Sequence, residues 1–152
     1  MGHTSPSPGF CPLYNSASIL SEGRILGTVH KQRIPSYNVF EEDRFFEPAV
    51  AHTHIFEVQG LKLGLFICED GWNSIQGFGK HDLRTYKDGN DPSKYLKGCE
   101  VAVNLSASPY SLGKIDLRED LFSSMAQRLG CPIVYVNNVG AQDDLLFDGS
   151  SF

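Results

Sequence analysis

The sequence is short of the features that mark several functional classes. It has four cysteines, at positions 11, 68, 99 and 131, and no Cys-x-x-Cys pair. That spacing offers neither a thiolate zinc site nor a disulfide framework, so free thiols and a cytoplasmic setting are expected. No apolar run approaches the ~18 residues that a membrane span requires, and the N-terminus lacks the basic-then-apolar pattern of a signal peptide. Basic residues are outnumbered, 13 Lys and Arg against 18 Asp and Glu, for a net charge of −5. With no Lys/Arg run, the chain is a poor ligand for a phosphate backbone, so neither nucleic acid nor membrane is expected as a partner. What remains is an ordinary globular composition, 41% hydrophobic and 20% charged over 152 residues, enough for one compact domain spanning 1–152.

Hydrophobic patterning predicts short strands alternating with a few helices. Residues 13–20 and 24–30 read as strands joined by Ser21-Glu22-Gly23, where Gly23 supplies the positive φ of a tight turn. Residues 31–48, charged, aromatic and with two prolines, read as a long loop, and long loops inside compact domains commonly carry function. Residues 52–58 and 61–67 read as a hairpin about Gln59-Gly60. The continuous run Leu63-Gly64-Leu65-Phe66-Ile67 is expected to be buried on both faces. Residues 73–91 read as a loop, Asp91-Pro92 as the start of a short helix to Lys97, and 101–105 as another buried strand. The spacing predicts a helix over 116–129, capped by Asp116 and ended by Gly130, with Leu117, Leu121, Phe122, Met125 and Leu129 on one face. Residues 132–137 read as a strand, and 145–147 begin one more. Together these give an α/β fold, a mixed sheet with outer helices.

Cys68 stands directly after an apolar strand, before two carboxylates, a Gly and the single Trp. The carboxyl end of a central strand is where α/β folds place their chemistry. By position alone, Cys68 reads either as a reactive thiol or as a buried structural one. Cys11, Cys99 and Cys131 read as structural. Lys31, at the end of a strand, is by itself either a solvated charge or a site residue, and Glu41, Glu42 and Asp43 read equally as a solvated acidic turn. His52-x-His54 lacks the further ligands a metal site needs, so no metal is expected. Gly77-Phe-Gly79 is not a phosphate loop, because neither a Lys-Ser/Thr pair nor a helix start comes after it.

Taken together and in order, these residues carry a resemblance. Lys31 through Phe46, with Tyr37, Glu42 and Arg44, is followed by Ile67-Cys68-Glu69-Asp70-Gly71-Trp72. Leu13 to Ala17, Asn104 to Tyr110 with Gly113-Lys114, Val136 to Gly140 and Phe147 to Phe152 agree in register. The chain resembles the carbon–nitrogen hydrolase (nitrilase) superfamily, and within it the glutaminase domain of the glutamine-dependent NAD⁺ synthetase branch. The resemblance implies a partial nitrilase-like αββα sandwich and a Glu-Lys-Cys triad acting on the side-chain amide of glutamine. Cys68 would be the nucleophile. Lys31 and the backbone N–H of Glu69 would stabilise the oxyanion. Glu42 would orient Lys31 or the amide.

Tyr37, Glu69, Trp72, Ser108 and Lys114 would line the substrate pocket, with Ser108 and Lys114 on the α-carboxylate. Trp72 equally suits a core, and Ser106 to Pro109 an ordinary strand-ending turn. A stand-alone amidase with another substrate and a non-catalytic fragment remain as readings. The resemblance places the triad glutamate ahead of the matched part. This implies an internal fragment that is inactive alone, with edges left unpaired on strands 63–67 and 101–105. It also implies no cofactor for the glutaminase step. ATP and Mg would belong to an absent synthetase domain, the partner of this one in a homo-oligomeric parent.

Overall fold

The computed structural model describes residues 1–50, 52–72 and 91–152. The expected loop over 73–91, with Gly77-Phe-Gly79, lies almost wholly outside the described residues. Three strands open the chain: β1 (Gly2–Pro6), β2 (Leu13–Ser21) and β3 (Arg24–His30), paired antiparallel in the order β1-β2-β3. β4 (Ile55–Val58), β5 (Leu61–Ile67), β6 (Val101–Ser106) and β7 (Ile133–Asn137) make a second sheet in that order. Its β4–β5 pair is antiparallel and its β5–β6 and β6–β7 pairs are parallel. The helix α1 (Lys114–Leu129) crosses from β6 to β7, as a parallel connection requires. β8 (Val139–Gln142) and β9 (Leu145–Asp148) form a separate hairpin.

The pleat sorts side chains into two apolar layers. Ala17, Ile19 and Val29 from the first sheet meet Leu65 and Ile67 from β5. Phe66, on the opposite face of β5, packs with Ala102, Tyr135 and the helix residues Leu121, Phe122 and Met125. β5 is therefore buried on both faces, as its apolar run predicts. The result is sheet on sheet on helix, three layers of an α/β sandwich.

Several expected boundaries move, each for a physical reason. The hairpins about Glu22-Gly23 and Gln59-Gly60 form as expected, with positive φ at both residues of each turn. β4 begins only at Ile55, because His54 turns its ring to Leu65 O and the Gln32 side chain instead of continuing the strand. α1 starts at Lys114, not Asp116. Gly113, at φ 76°, admits the chain to the helix, and Asp116 sits in the first turn without a side-chain cap bond, favourable there for the helix dipole. Residues 92–96 form a 3₁₀ turn, and Asp91 caps it by accepting from Ser93 N at 2.9 Å. β1 and β8 were not expected. β1 lies at a sheet edge with Pro6 as its last residue, where proline is tolerated. The expected unpaired edges on 63–67 and 101–105 are not found, since β5 and β6 are each paired on both sides.

Candidate active site

Two strand ends meet at the site. β3 delivers Lys31, and β5 delivers Cys68, the first residue of a 3₁₀ turn over Cys68–Gly71. Cys68 has φ 44°, in the left-handed region that non-glycine residues rarely enter. Cys68 packs against the apolar layer between the sheets and also lines a cavity, half-buried at the end of its strand.

The loop after β3 returns to the site instead of leaving it. Ala49 N donates to Lys31 O at 3.0 Å and Glu47 N to Leu13 O at 2.8 Å, which pins both ends. Within it a 3₁₀ turn over Glu42–Arg44 presents Glu42. Lys31 is 1% exposed, and an ammonium so buried requires a partner. Its Nζ donates to both Glu42 carboxylate oxygens, at 2.7 and 2.8 Å, and Asn15 Nδ2 donates to Glu42 Oε2 at 3.4 Å. Lys31, Glu42 and Cys68 line one cavity of about 440 Å³ with Asn15, Ser106 and Asn137.

The charges interlock. Burial pushes the Cys68 thiol up, the Lys31 ammonium pulls it down, and Glu69 and Glu42 push it up again. For Lys31, burial disfavours the ammonium, but the Cys68 thiolate, Glu42 and Asp70 outweigh that and hold its pKa above the usual value. Lys31 therefore stays a cation, and it and the Ser106 hydroxyl favour the Cys68 thiolate against the burial that holds the thiol above its usual pKa.

The other expected residues divide. Tyr37, Glu69, Trp72 and Lys114 line a neighbouring groove of about 770 Å³. Tyr37 Oη donates to the Glu69 carboxylate at 3.1 and 3.0 Å. Lys114 Nζ stands 5.7 Å from the Trp72 ring centroid, a cation–π contact. Burial, and then the Arg118 guanidinium, lower the Lys114 pKa. Ser108 lines neither cavity. It is 3% exposed, its N–H donates to Asn137 Oδ1 at 2.8 Å, and Arg118 Nη2 donates to its carbonyl at 2.8 Å and its hydroxyl at 3.3 Å. Ser108 is thus held in a net with Asn137 and Arg118, outside the groove that Lys114 lines. Cys99 and Cys131 are buried with their sulfurs 3.4 Å apart, away from Cys68. Among the described residues no group of His, Cys, Asp and Glu is arranged to hold a metal.

Sequence reasoning missed two residues here. Asp70 is 1% exposed, and its carboxylate accepts from three backbone N–H groups. Arg118 is fully buried; its Nη1 donates to both Asp148 carboxylate oxygens at 2.9 and 2.8 Å, and its Nη2 holds the carbonyls of Ser108 and Pro109. A signal existed for Arg118. It shares the helical face of Leu121, Phe122 and Met125, at the spacing of i+3, i+4 and i+7, so it is a charge inside an apolar stripe.

No family model matches the chain. The chain is 43% identical, over 99% of its length, to a glutamine-dependent NAD(+) synthetase of Synechocystis sp., and 38% identical, over 91%, to that of Acinetobacter baylyi. It spans about a quarter of the length of these relatives, 26% and 23%. Among solved structures, glutamine-dependent NAD+ synthetase from Acinetobacter baumannii superposes with a TM-score of 0.81 at 36% identity, covering 99% of this chain and 26% of that one. A carbon–nitrogen hydrolase from Helicobacter pylori, at 24% identity, shares the fold with a TM-score of 0.74 over 92% of this chain and 49% of that one. A nitrilase-superfamily amidase from Nesterenkonia, at 18% identity, shares it with a TM-score of 0.73 over 99% and 50%.

Proposed function

We propose that this chain, a homologue of one segment of the glutamine-dependent NAD(+) synthetases with the nitrilase-superfamily fold, supplies the nucleophile and oxyanion donors that hydrolyse the side-chain amide of glutamine in the full-length protein. The observation that carries the reading is the shared cavity of Cys68, Lys31 and Glu42, with the Lys31 ammonium buried against the carboxylate. The Cys68 thiolate attacks the amide carbon, forming the C–S bond while the carbonyl electron pair moves to oxygen. The Lys31 ammonium and the N–H of Glu69 are the donors for that oxyanion, in a site where fixed dipoles count for more than in water. The oxyanion collapses and the C–N bond breaks as the proton released when the Cys68 thiol ionised passes to nitrogen, so that ammonia leaves. Water then hydrolyses the thioester, giving glutamate and the free thiol.

The neighbouring groove favours an amino-acid substrate over a simple amide. Glu69 and Lys114 bring opposite charges to it, suited to an α-ammonium and an α-carboxylate. Glu42, already bridged to Lys31 and Asn15, orients the ammonium. In this reading the region serves a neighbouring synthetase domain, in a cytoplasmic homo-oligomer. ATP and Mg belong to the synthetase reaction, and the hydrolytic step uses protein groups only. The 152-residue chain by itself is expected to be inactive. Among the described residues, the carboxylate in the Cys68 cavity is Glu42, and Lys31 already occupies both of its oxygens.

A glutamine-mimicking diazoketone, with peptide mapping, tests the reading. In the full-length protein it should alkylate Cys68 and spare Cys11, Cys99 and Cys131, because only Cys68 has a buried cation beside it. Lys31→Met should cut glutamine-dependent turnover on the order of 10²-fold, the effect of losing one oxyanion donor, while ammonia-dependent synthesis persists. Equal labelling of Cys99 or Cys131 in folded protein, or loss of both activities together, overturns the assignment.

A further inference from the structure

We propose that Asp70 is the positioning residue that sets the distance between the Lys31 ammonium and the Cys68 thiol, by holding the backbone beside each of them with one carboxylate. Oδ1 accepts from Gln32 N at 3.1 Å and from Arg33 N at 2.8 Å, and Oδ2 faces Ile67 N at 3.4 Å. Gln32 follows Lys31 and Ile67 precedes Cys68, so the carboxylate ties the exit of β3 to the turn that closes β5. This inference rests on the amide-hydrolase reading for its catalytic consequence, though not for its geometry.

The two strands belong to different sheets. Near the site, the apolar contacts between those sheets run through Ala17, Ile19 and Val29 against Leu65 and Ile67. Apolar packing is non-directional and leaves sliding soft, whereas N–H···O bonds have narrow distance and angle preferences. A slide of an ångström between nucleophile and oxyanion donor is enough to lose much of the gain from orientation. Asp70 resists this slide by hydrogen bonds, next to the link that runs from the Gln32 side chain through the His54 ring to Leu65 O.

Asp70 lines neither cavity, so it cannot touch substrate and acts only through Lys31 and Cys68. Burial pushes its carboxyl up to about 7, against the pull of the Arg33 N–H, the Lys31 ammonium and the Gln32 and Ile67 N–H groups. A carboxyl at 1% exposure would be replaced by an apolar side chain at no loss if its acceptors had no task. An asparagine fits the same space but offers one acceptor oxygen, and its NH₂ would oppose one of the N–H groups.

The test is the pH dependence of Cys68 alkylation by iodoacetamide, read by mass spectrometry on the Cys68 peptide, in wild type and Asp70→Asn. Removing a nearby negative charge would by itself move the thiol midpoint down. Losing the Lys31 ammonium from its place moves it up. The expected result is an upward shift of about one unit or more, abolished in the Lys31→Met background, where no cation remains to be positioned. A downward or absent shift in a variant that melts cooperatively overturns the proposal. Should Asp70→Asn not melt cooperatively, Asp70→Glu carries the same test, since it keeps the charge on a stem one methylene longer. In the full-length protein, glutamine kcat should fall about tenfold or more with KM within about twofold. If wild type hydrolyses no glutamine, the functional reading fails, while the alkylation arm still decides the role of Asp70.

Discussion

Gln32 joins two buried groups whose ionisation is disfavoured in opposite senses. Its side chain bonds His54 Nε2 at 2.9 Å, and its N–H donates to Asp70 Oδ1 at 3.1 Å. Burial, with the charge of His52, lowers the His54 pKa from 6.5 to about 4. The unfolded chain then binds the extra proton between those values, so His54 takes stability away as pH falls from 6.5 towards 4. With His54 fully buried and the shift about 2.5 units, the effect is on the order of 3 kcal/mol. Asp70, raised from 3.8 to about 7, acts the other way. The folded chain holds the extra proton, so stability falls as pH rises from 3.8 through 7. Over about pH 4 to 6.5 the two slopes oppose each other, and urea midpoints of wild type should vary little with pH. Asp70→Asn should leave the His54 slope alone, so its midpoint should climb steadily across that window. A flat profile in Asp70→Asn would contradict this linkage.

At the scale of elements, the packing of β3 on β4 depends on an absent side chain. A Cβ on Gly27 would lie inside the van der Waals envelope of the Phe56 ring, and Phe56 is packed on the core between the sheets. Gly27→Ala should therefore destabilise by about 1–3 kcal/mol, as overpacking does, read as a lower urea midpoint, and Phe56→Leu in the same chain should recover part of it. The strands that were legible in the sequence, Arg24–His30 and Leu61–Ile67, carry β-rich apolar runs bounded by positive-φ turns. β1 was hidden by Pro6 at its end and Pro8 just beyond it. β8 was hidden because it is exposed throughout and has no alternation to read; its turn uses Asp143 at φ 49° where a glycine would have signalled it. Strand-end positions drew attention to Lys31 and Cys68 but left each open between a site residue and a solvated or structural one, and the resemblance gave roles to both and to Glu42. Asp70 was not legible, because its partners are backbone N–H groups, two of them 37 and 38 residues away and one at Ile67, and no side-chain pattern records a bond to backbone.

At the scale of the molecule, the outward face of the first sheet is a hydrogen-bonded seam rather than bare hydrocarbon. With Ala17 and Ile19 turned to the second sheet, the pleat turns Ser16 and Ser18 the other way, where Ser16 Oγ meets His30 Nδ1 at 2.8 Å and Ser18 Oγ meets Thr28 Oγ1 at 2.7 Å. The whole fold thus converges on one corner, where both sheets, the loop after β3 and the turn after β5 meet at Cys68. That corner has a thermodynamic signature of its own. A side chain held at φ 44° opposes folding by roughly 1–2 kcal/mol, a handicap that glycine would not carry. Cys68→Gly should therefore melt higher than Cys68→Ala in calorimetry, although glycine generally weakens a chain through its unfolded-state entropy. On the proposed function, the residue that forms the thioester is thus also one whose replacement by glycine would relax the fold, so durability and reactivity would place opposite demands on this one position.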